Sequence, residues 1–456
     1  MILAQSRLRR SNGSKIVVLF LITLLSSGCG LFNKTRDNSN KDKVVKDRTD
    51  QTIDTLDISK VPETEIPPIR KDAEVEEPDV DYSSYKKETY KIGLFLPFNA
   101  QDATFDANDL SDEKFVNYYA GVRLALEEFD DEGYKFIVNV VDSERSEETV
   151  AEKLQSSAFE GTDVIVGPYD RDALSLAAEY GKNNMIAVVS PWLSSTRITD
   201  DNPFYIQLRA SLSSHYFKLI EHAHQNFKSD EIVLIGRNND AAKNRFKYFQ
   251  KTYAALNNFS SSDPLQECFY DEGPLGEGMR AFGDLFENGG KKAIILPNWN
   301  YDDESFIYSV LRTLNIEKRN TDVYVYGMPI LFDSDKIEFD FYQNLNMRIC
   351  LSEFVDWEDM RVKSFMRKFY DNYGALPTSD AFEGYDMMTF IGRNLIKYGI
   401  NFQLNLELDR DRYLQTAYDI QKVFDEGDEK FENVKYLENK HLDLVQYIGD
   451  KFVKID

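Results

Sequence analysis

The stretch KIGLFLPF at residues 91–98 decides the fold, because an amphipathic helical pattern follows it. Beyond it, apolar residues recur at a spacing of three and four: Phe115, Tyr118, Val122, Leu126 and Phe129. This spacing places them on one face of a helix. A short, continuously apolar strand followed by such a helix is the repeating unit of a parallel α/β sheet.

The same unit recurs along the chain in two series. The first series continues with apolar runs at 136–142, 164–169, 186–191 and 205–209. The second has runs at 231–236, 265–270, 292–299, 323–328 and 347–351. Two further helices are predicted at about 358–373 and 380–398, and a hairpin over 444–455 turns at Gly449-Asp450. The pattern therefore predicts an α/β protein with two doubly wound parallel-sheet lobes.

Several longer stretches carry a family resemblance. They are YAGVRLALEEFDDEG (119–133), VIVGPYDRDALSLAAEYG (164–181), IAVVSPWLSST (186–196) and FMRKFYDNYGALPTSDAFEGYDMMTFIGRNL (365–395). In order and spacing they resemble the type I periplasmic binding proteins, the group that includes leucine/isoleucine/valine-binding receptors. The resemblance implies two lobes that are joined by a three-strand hinge and close on a ligand. It assigns residues 90–211 plus 353–400 to lobe one, and 212–352 plus 401–456 to lobe two.

The N-terminus has the order of an export signal. Four basic residues (Arg7, Arg9, Arg10, Lys15) precede an apolar stretch at 16–25, which is shorter than the about 20 residues that span a bilayer. Ser-Gly-Cys follows, so residues 1–28 resemble a bacterial lipoprotein signal peptide with Cys29 as the lipidated residue. Ser26 stands where that signal usually has leucine, and the alternative is an ordinary secreted protein. We expect lipid anchoring to a bacterial membrane, preferably the outer membrane, with the globular part in the periplasm.

Residues 29–89 are predicted to be a disordered tether, because they are polar and charged and contain four prolines. About 60 flexible residues have an r.m.s. reach of about 40–45 Å. The alternative is a spacer without a binding role. The chain carries a net charge of −24, which disfavours nucleic acid and anionic lipid surfaces as partners.

In open α/β sheets, ligands bind beside the carboxyl ends of the strands. The candidate ligand-binding residues in lobe one are Asn99, Ser143, Tyr169, Asp170, Arg171, Trp192, Ser194 and Ser195. Those in lobe two are Asn238, Trp299, Asn300 and Asp302. The aromatic members are predicted as apolar walls and the others as polar contacts. The alternative is that they are surface-loop residues or pack within one lobe.

The loop after the third strand departs from the amino-acid-binding relatives. They usually carry small hydroxyl residues there to hold a carboxylate, whereas this chain has Tyr169-Asp170-Arg171-Asp172. The two aspartates compete with an incoming carboxylate for the positive end of the helix. Asp302 or Asp303 are the candidates for binding an amine. The ligand is therefore predicted to be small and polar, amino-acid-like or similar.

No motif indicates catalysis, a metal or a cofactor. The four histidines do not have the spacing of a chelating pair, and neither a nucleophile elbow nor a Walker loop occurs. The segment Gly276-Glu277-Gly278 resembles a dinucleotide loop, but no acidic residue ends the next strand to hold a ribose. We predict a non-enzymatic protein without a metal or cofactor.

Besides Cys29, the chain has Cys268 and Cys350, in the second and fifth strands of lobe two. With the strand order 2-1-3-4-5 these strands form opposite edges, about 19 Å apart. That separation exceeds the about 7 Å that a disulfide can bridge. We predict two unpaired thiols.

Two functions remain open. The first is a receptor that hands a small polar ligand to an ABC-type permease. The second is an interaction module of the same fold that acts on a peptidoglycan synthase without a small ligand. The cleft loops favour the receptor, whereas the long tether and the unusual strand-three loop favour the module.

Overall fold

The computed structural model describes residues 82–100, 111–258, 263–271, 281–287, 289–408, 411–424 and 433–456. The predicted signal peptide, Cys29, the tether up to residue 81 and the Gly276-Glu277-Gly278 segment lie outside the described residues. The prediction that the tether extends to residue 89 is wrong at its end, because Tyr82 packs against Tyr398, Lys87 pairs with Asp163 and the first strand begins at Thr89.

The strands occur in two series, as the apolar runs predict. They are β1 Thr89–Leu96, β2 Lys135–Asp142, β3 Val164–Val166, β4 Ala187–Ser190, β5 Tyr205–Gln207, β6 Ile232–Gly236, β7 Gln266–Phe269, β8 Lys291–Leu296, β9 Asp322–Gly327, β10 Arg348–Leu351, β11 Ile420–Phe424, β12 Val434–Asn439, β13 Asp443–Ile448 and β14 Lys451–Lys454. The helices are α1 Ser111–Asp131, α2 Glu147–Leu154, α3 Arg171–Asn184, α4 Leu212–Asn226, α5 Asp240–Leu256, α6 Glu304–Glu317, α7 Ile330–Asp333, α8 Phe339–Asn344, α9 Met360–Tyr373 and α10 Ser379–Tyr398.

Lobe one contains a seven-stranded sheet with the order β11-β12-β5-β4-β3-β1-β2. All its neighbouring strands are parallel except β11 and β12. Ile92 at the centre of β1 lies opposite Val138 and Val164. The central strands are buried on both faces, which explains their continuous apolar runs.

Lobe two contains a second seven-stranded sheet with the order β14-β13-β10-β9-β8-β6-β7. Its five parallel strands have the predicted order 2-1-3-4-5, and the predicted hairpin is β13 and β14 with Gly449 in the turn. Cys268 lies in β7 and Cys350 in β10, and both are unpaired. The prediction of two free thiols is confirmed, although β10 is not the edge strand that was expected, because β13 and β14 extend the sheet beyond it.

Three crossings join the lobes, at 208–211, 352–359 and 440–442. The predicted division of the chain differs from the structure at one place, because 401–456 was assigned as a whole to lobe two. Strand β12 pairs with β5 and therefore belongs to the sheet of lobe one, together with β11. After α10, the described strands β11 and β12 both belong to lobe one, and the crossing to lobe two comes at 440–442.

Helices α1 and α10 approach each other closely, because glycine faces backbone on both sides. A Cβ at Gly121 would lie 1.9 Å from the carbonyl oxygen of Ala381, and one at Gly384 would lie 2.0 Å from that of Tyr118. Both glycines belong to the stretches that carry the family resemblance. This close contact holds α1 and α10 in a fixed relative position. Both helices carry charged residues that point to the space between the lobes.

In the part of the chain that the structure describes, no helix is long and apolar enough to cross a membrane.

Candidate functional site: a charged cavity between the lobes

A cavity of about 450 Å³ lies between the lobes beside the second crossing. Lobe one contributes Lys114, Arg209, Asp380 and Glu383 to its lining. Lobe two contributes side chains from the ends of β8 and β9, and the crossing contributes residues from Ser352 to Trp357. Because both lobes and the crossing line one space, a molecule held there would contact all three.

Arg209 is the central cation of the cavity. It lies two residues after the end of β5, in the first crossing. Its Nη1 lies 3.0 Å from Glu353 Oε2, and its Nη2 lies 3.1 Å from Glu383 Oε1. The three side chains are 14%, 24% and 7% exposed, respectively. Arg209 thereby connects the first crossing, the second crossing and α10 through charge-assisted hydrogen bonds.

Three carboxyl groups of the cavity, those of Glu353, Asp380 and Glu383, have pKa values above their ordinary range. Burial raises the pKa of Glu383 to about 7, although Arg209 opposes the shift and Glu353 adds to it. Burial likewise raises the pKa of Asp380 to about 6, opposed by Lys114. The pKa of Glu353 is also raised, mainly by burial and against the effect of Arg209. Burial is the largest cause in each case, so these carboxyl groups hold a proton more readily than exposed ones do.

A buried carboxyl holds the second crossing in place. Asp386 on α10 accepts hydrogen bonds from the backbone N–H groups of Leu414 and Gln415, both at 2.9 Å. The carbonyl oxygen of Gln415 in turn accepts from the N–H of Phe354 at 2.8 Å. Burial raises the pKa of Asp386 to about 8. This chain of contacts positions Phe354 and its neighbour Glu353 against the cavity.

The wall from lobe two and the crossing is largely aromatic. Tyr301 follows β8, and its hydroxyl donates to Asp333 Oδ2 at 3.3 Å. Phe332 on α7 contacts Phe354 edge-on, with ring centroids 6.4 Å apart. Trp357 also lines the cavity and is 55% exposed. Acidic and aromatic side chains therefore line the same cavity, with Asp333 next to Phe332 and Glu353 next to Phe354 in the chain.

In lobe one the aromatic candidates pack against each other. Tyr169 and Trp192 are buried, with ring centroids 5.7 Å apart, and both contact Phe115. The guanidinium of Arg145 and the ammonium of Lys114 lie 5.2 and 5.1 Å from the centre of the Tyr169 ring. Side chains of lobe one thus fill the space beside the third and fourth strands.

The polar candidates of lobe one lie at the strand ends around this cluster. Ser143, Ser194 and Ser195 are buried, and Asn99 and Asp170 are half-buried. The N–H of Asn99 donates to Asp142 at 3.2 Å, which ties two strand-end loops together. Arg171 is exposed in the first turn of α3.

In lobe two, Asn238 and Asp302 are exposed, Asn300 is half-buried, and Trp299 is buried in the core. Asn300 Oδ1 accepts from the N–H of Asp302 at 3.0 Å, so these two lie together in one turn. Asp303 forms an ion pair with Arg237 and accepts from Asn298.

None of the twelve candidate residues belongs to the described lining of the cavity. The sequence reasoning missed Arg209, Asp380 and Glu383, although signals for them exist. Arg209 ends the apolar run YIQLR, and the two acidic residues lie in the stretch TSDAFEGYD that carries the family resemblance. A charged residue at the end of a buried strand is uncommon unless it has partners.

A second cavity of about 590 Å³ lies on lobe one, beside α9 and α10. Its four cations are already paired with carboxylates: Arg361 with Asp359, Lys368 with Glu128, Arg393 with Glu132 and Arg412 with Asp443. It therefore offers less uncompensated charge than the cavity between the lobes.

The family model described as "Receptor family ligand binding region" matches residues 118–401, which span both lobes and two of the crossings. The chain belongs to this family. No curated protein matches the chain significantly.

Solved structures agree with the family in fold. A candidate branched-chain amino acid ABC transporter protein from Rhodospirillum rubrum is 17% identical, covering 80% of this chain and 100% of its own, with a TM-score of 0.53. An ABC transporter substrate-binding protein from Desulfitobacterium hafniense is 16% identical, covering 81% and 100%, with a TM-score of 0.51. A branched-chain amino acid ABC transporter periplasmic ligand-binding protein from Burkholderia xenovorans is 12% identical, covering 80% and 94%, with a TM-score of 0.51. The predicted type I periplasmic binding fold is confirmed.

Proposed function

We propose that the protein is a non-enzymatic receptor that binds a small polar ligand in the cavity between its lobes. The observation that supports this proposal most is the charged cavity of about 450 Å³, whose walls come from both lobes and the second crossing. Ligand pockets typically lie at such junctions and measure about 300–1,000 Å³. The ligand would then be delivered to a membrane transporter, in our proposal an ABC-type permease.

A ligand that contacts both lobes also favours their closed arrangement. It stabilises that arrangement by the difference between its affinities for the closed and open forms. Glu383 belongs to lobe one, Asp333 to lobe two and Glu353 to the crossing. Contacts to all three exist only when the lobes are together, so closure would report the bound ligand to a permease.

The proposal includes a lipid anchor at Cys29 in a bacterial membrane, preferably the outer membrane, with residues 30–81 as a flexible tether. The support is the sequence order of basic, apolar and small residues before Cys29. Such an anchor would keep the globular part in the periplasm within reach of a membrane partner.

The alternative is an interaction module that acts on a peptidoglycan synthase and has no small ligand. One observation favours it: aromatic side chains of lobe one fill the loops at the ends of β3 and β4, where ligands of this fold class would be expected. In that case the outer surfaces of the lobes, rather than the cavity, would carry the function.

Ligand binding is testable through Trp357. The chain has three tryptophans, of which Trp192 and Trp299 are buried and Trp357 lines the cavity. The full chain carrying Cys29→Ser, so that no lipid is attached, is titrated with amino acids, peptides, sugars, nucleosides, polyamines and muropeptides. Fluorescence and thermal unfolding are recorded together.

A receptor is expected to show saturable fluorescence changes that Trp357→Phe abolishes. A ligand at 100 times its dissociation constant adds about 2.7 kcal/mol to the free energy of unfolding, which raises the melting temperature by several degrees. A flat response to the whole panel, repeated on protein that has been unfolded and refolded to remove carried-over ligand, would contradict the receptor and favour the module.

A further inference from the structure

The charges of the cavity do not balance. Its described lining carries four carboxyl groups, on Asp333, Glu353, Asp380 and Glu383, but only two cationic side chains, on Lys114 and Arg209. We propose that the cavity takes a small organic cation, with an ammonium group held by the carboxylates and an apolar part against the aromatic wall. This inference rests on the proposed receptor function and names its ligand class.

The position of Arg209 leaves the acidic side chains in excess. Both of its Nη atoms are engaged, one with Glu353 and one with Glu383, so its charge is already shared by two carboxylates. Asp380 accepts a hydrogen bond from the hydroxyl of Thr378 at 3.3 Å, and the cation that acts on it is Lys114, which also acts on Glu353 and Glu383. A ligand ammonium beside Asp380 would supply the missing positive charge.

Burial strengthens the interaction of a ligand ammonium with these carboxyl groups compared with the same contact at the protein surface. Glu383 is buried and Glu353 and Asp380 are half-buried, and burial is the largest cause of the raised pKa values of these three carboxyl groups. An ammonium in the cavity would replace lost hydration and reduce the repulsion between Glu353, Glu383 and Asp380. A ligand carboxylate would instead add a negative charge to this group.

The aromatic side chains of the cavity fit the apolar part of such a ligand. Phe332, Phe354, Trp357 and Tyr301 line the cavity, and the ring faces of aromatic residues attract cations. Acidic groups combined with aromatic rings are the combination that binds alkylated ammonium groups. The volume of about 450 Å³ limits the ligand to a small molecule.

Two substitutions of opposite sign test the ligand class. Asp380→Asn removes a negative charge from the cavity and preserves shape, and Lys114→Gln removes a positive one. Asp371→Asn on the exposed surface of α9 is the matched control. The full chain carrying Cys29→Ser is titrated by calorimetry with choline, putrescine and L-lysine as cationic probes, and with L-leucine, L-glutamate and benzoate as carboxylate probes without a net positive charge.

At least one cationic probe is expected to bind the parent chain. One charge at about 5–6 Å changes affinity by about fourfold at the dielectric constant of water and by about 100-fold at the effective value of about 20 near a protein surface. Asp380→Asn should therefore weaken binding of the cation by a factor in this range, Lys114→Gln should strengthen it, and Asp371→Asn should leave it unchanged.

Each other outcome overturns the inference in a recognisable way. If only the carboxylate probes bind, or if Asp380→Asn strengthens binding, the ligand class is wrong while the receptor function stands. If a cation binds with equal affinity to all three variants, it binds outside the cavity and the assignment of the site is wrong. If no cation binds but another class in the wider panel does, the ligand class alone fails, and if nothing binds at all, the receptor function fails with it.

Discussion

Removing Arg209 is predicted to destabilise the protein strongly and in a pH-dependent way. Its guanidinium lies 3.0 and 3.1 Å from Glu353 and Glu383, and all three side chains are at most 24% exposed. Arg209→Met preserves the apolar stem but leaves two buried carboxylates without their cation. Breaking a buried ion pair by removing one partner costs about 3–5 kcal/mol, so we expect a loss of that size at pH 8.

The pH dependence follows from the glutamates. With Arg209 present, the pKa of Glu383 is about 7, above the ordinary value of 4.5, and removing the cation raises it further. A carboxyl whose pKa is higher in the folded protein binds its proton more tightly there than in the unfolded chain. Lowering the pH through 7 towards 4.5 therefore favours the folded state. The loss caused by Arg209→Met should be full at pH 8 and much smaller at pH 5.

Urea denaturation followed by far-UV circular dichroism at pH 8 and pH 5 measures both quantities. Arg367→Met, at an exposed position of α9, is the matched control and should change stability by less than about 0.5 kcal/mol. The double variant Arg209→Met/Glu383→Gln should recover a large part of the loss, because it removes one of the two unpaired carboxylates. A loss below about 1 kcal/mol at pH 8, or an equal loss at both pH values, would refute this reasoning.

Three further predictions concern the fold. Gly384→Ala places a Cβ 2.0 Å from the carbonyl oxygen of Tyr118, and this backbone atom cannot rotate away. The substitution is expected to lower the free energy of unfolding, measured by urea denaturation, by about 1–3 kcal/mol. An unchanged midpoint would contradict the close contact between the helices. Burial lowers the pKa of His215 from 6.5 to about 4, so its contribution to stability is present above pH 6.5 and lost as the pH falls towards 4. His215→Gln should reduce the slope of melting temperature against pH in that window, and an identical slope would show that other groups cause it. Iodoacetamide without reductant should modify half-buried Cys268 before buried Cys350. Burial raises the pKa of both thiols, but only Cys268 is accessible to the reagent. Mass spectrometry of peptides measures the order, and simultaneous modification of both thiols in the native protein would contradict it.

The elements of the fold were predictable because their signals are local. Each apolar run from 91–98 to 347–351 contains a strand of the structure, and the spacing from Phe115 to Phe129 corresponds to α1. The boundary between the lobes was less predictable. Strands β11 and β12 pair with lobe one although they directly precede the hairpin of lobe two, and no local pattern records which sheet edge a strand joins.

The candidate site shows the same limit more clearly. Tyr169 and Trp192 have the composition of a ligand wall, yet they pack against Phe115 inside lobe one. A side chain at a strand end can face the cleft or its own lobe, and sequence spacing is the same in both cases.

The sequence by itself determined which segments form strands and helices, because hydrophobic periodicity depends on neighbouring residues. The order 2-1-3-4-5 of the five parallel strands of lobe two, and with it the separation of Cys268 from Cys350, followed from the way that other sheets of this type are connected. Only the tertiary structure decided where the charged cavity lies. Lys114, Arg209, Glu353 and Asp380 are far apart in sequence and come together where α1, two crossings and α10 meet. Their charges interact because they lie close together in a partly buried site. That proximity arises from the packing of whole helices and crossings rather than from any local sequence pattern.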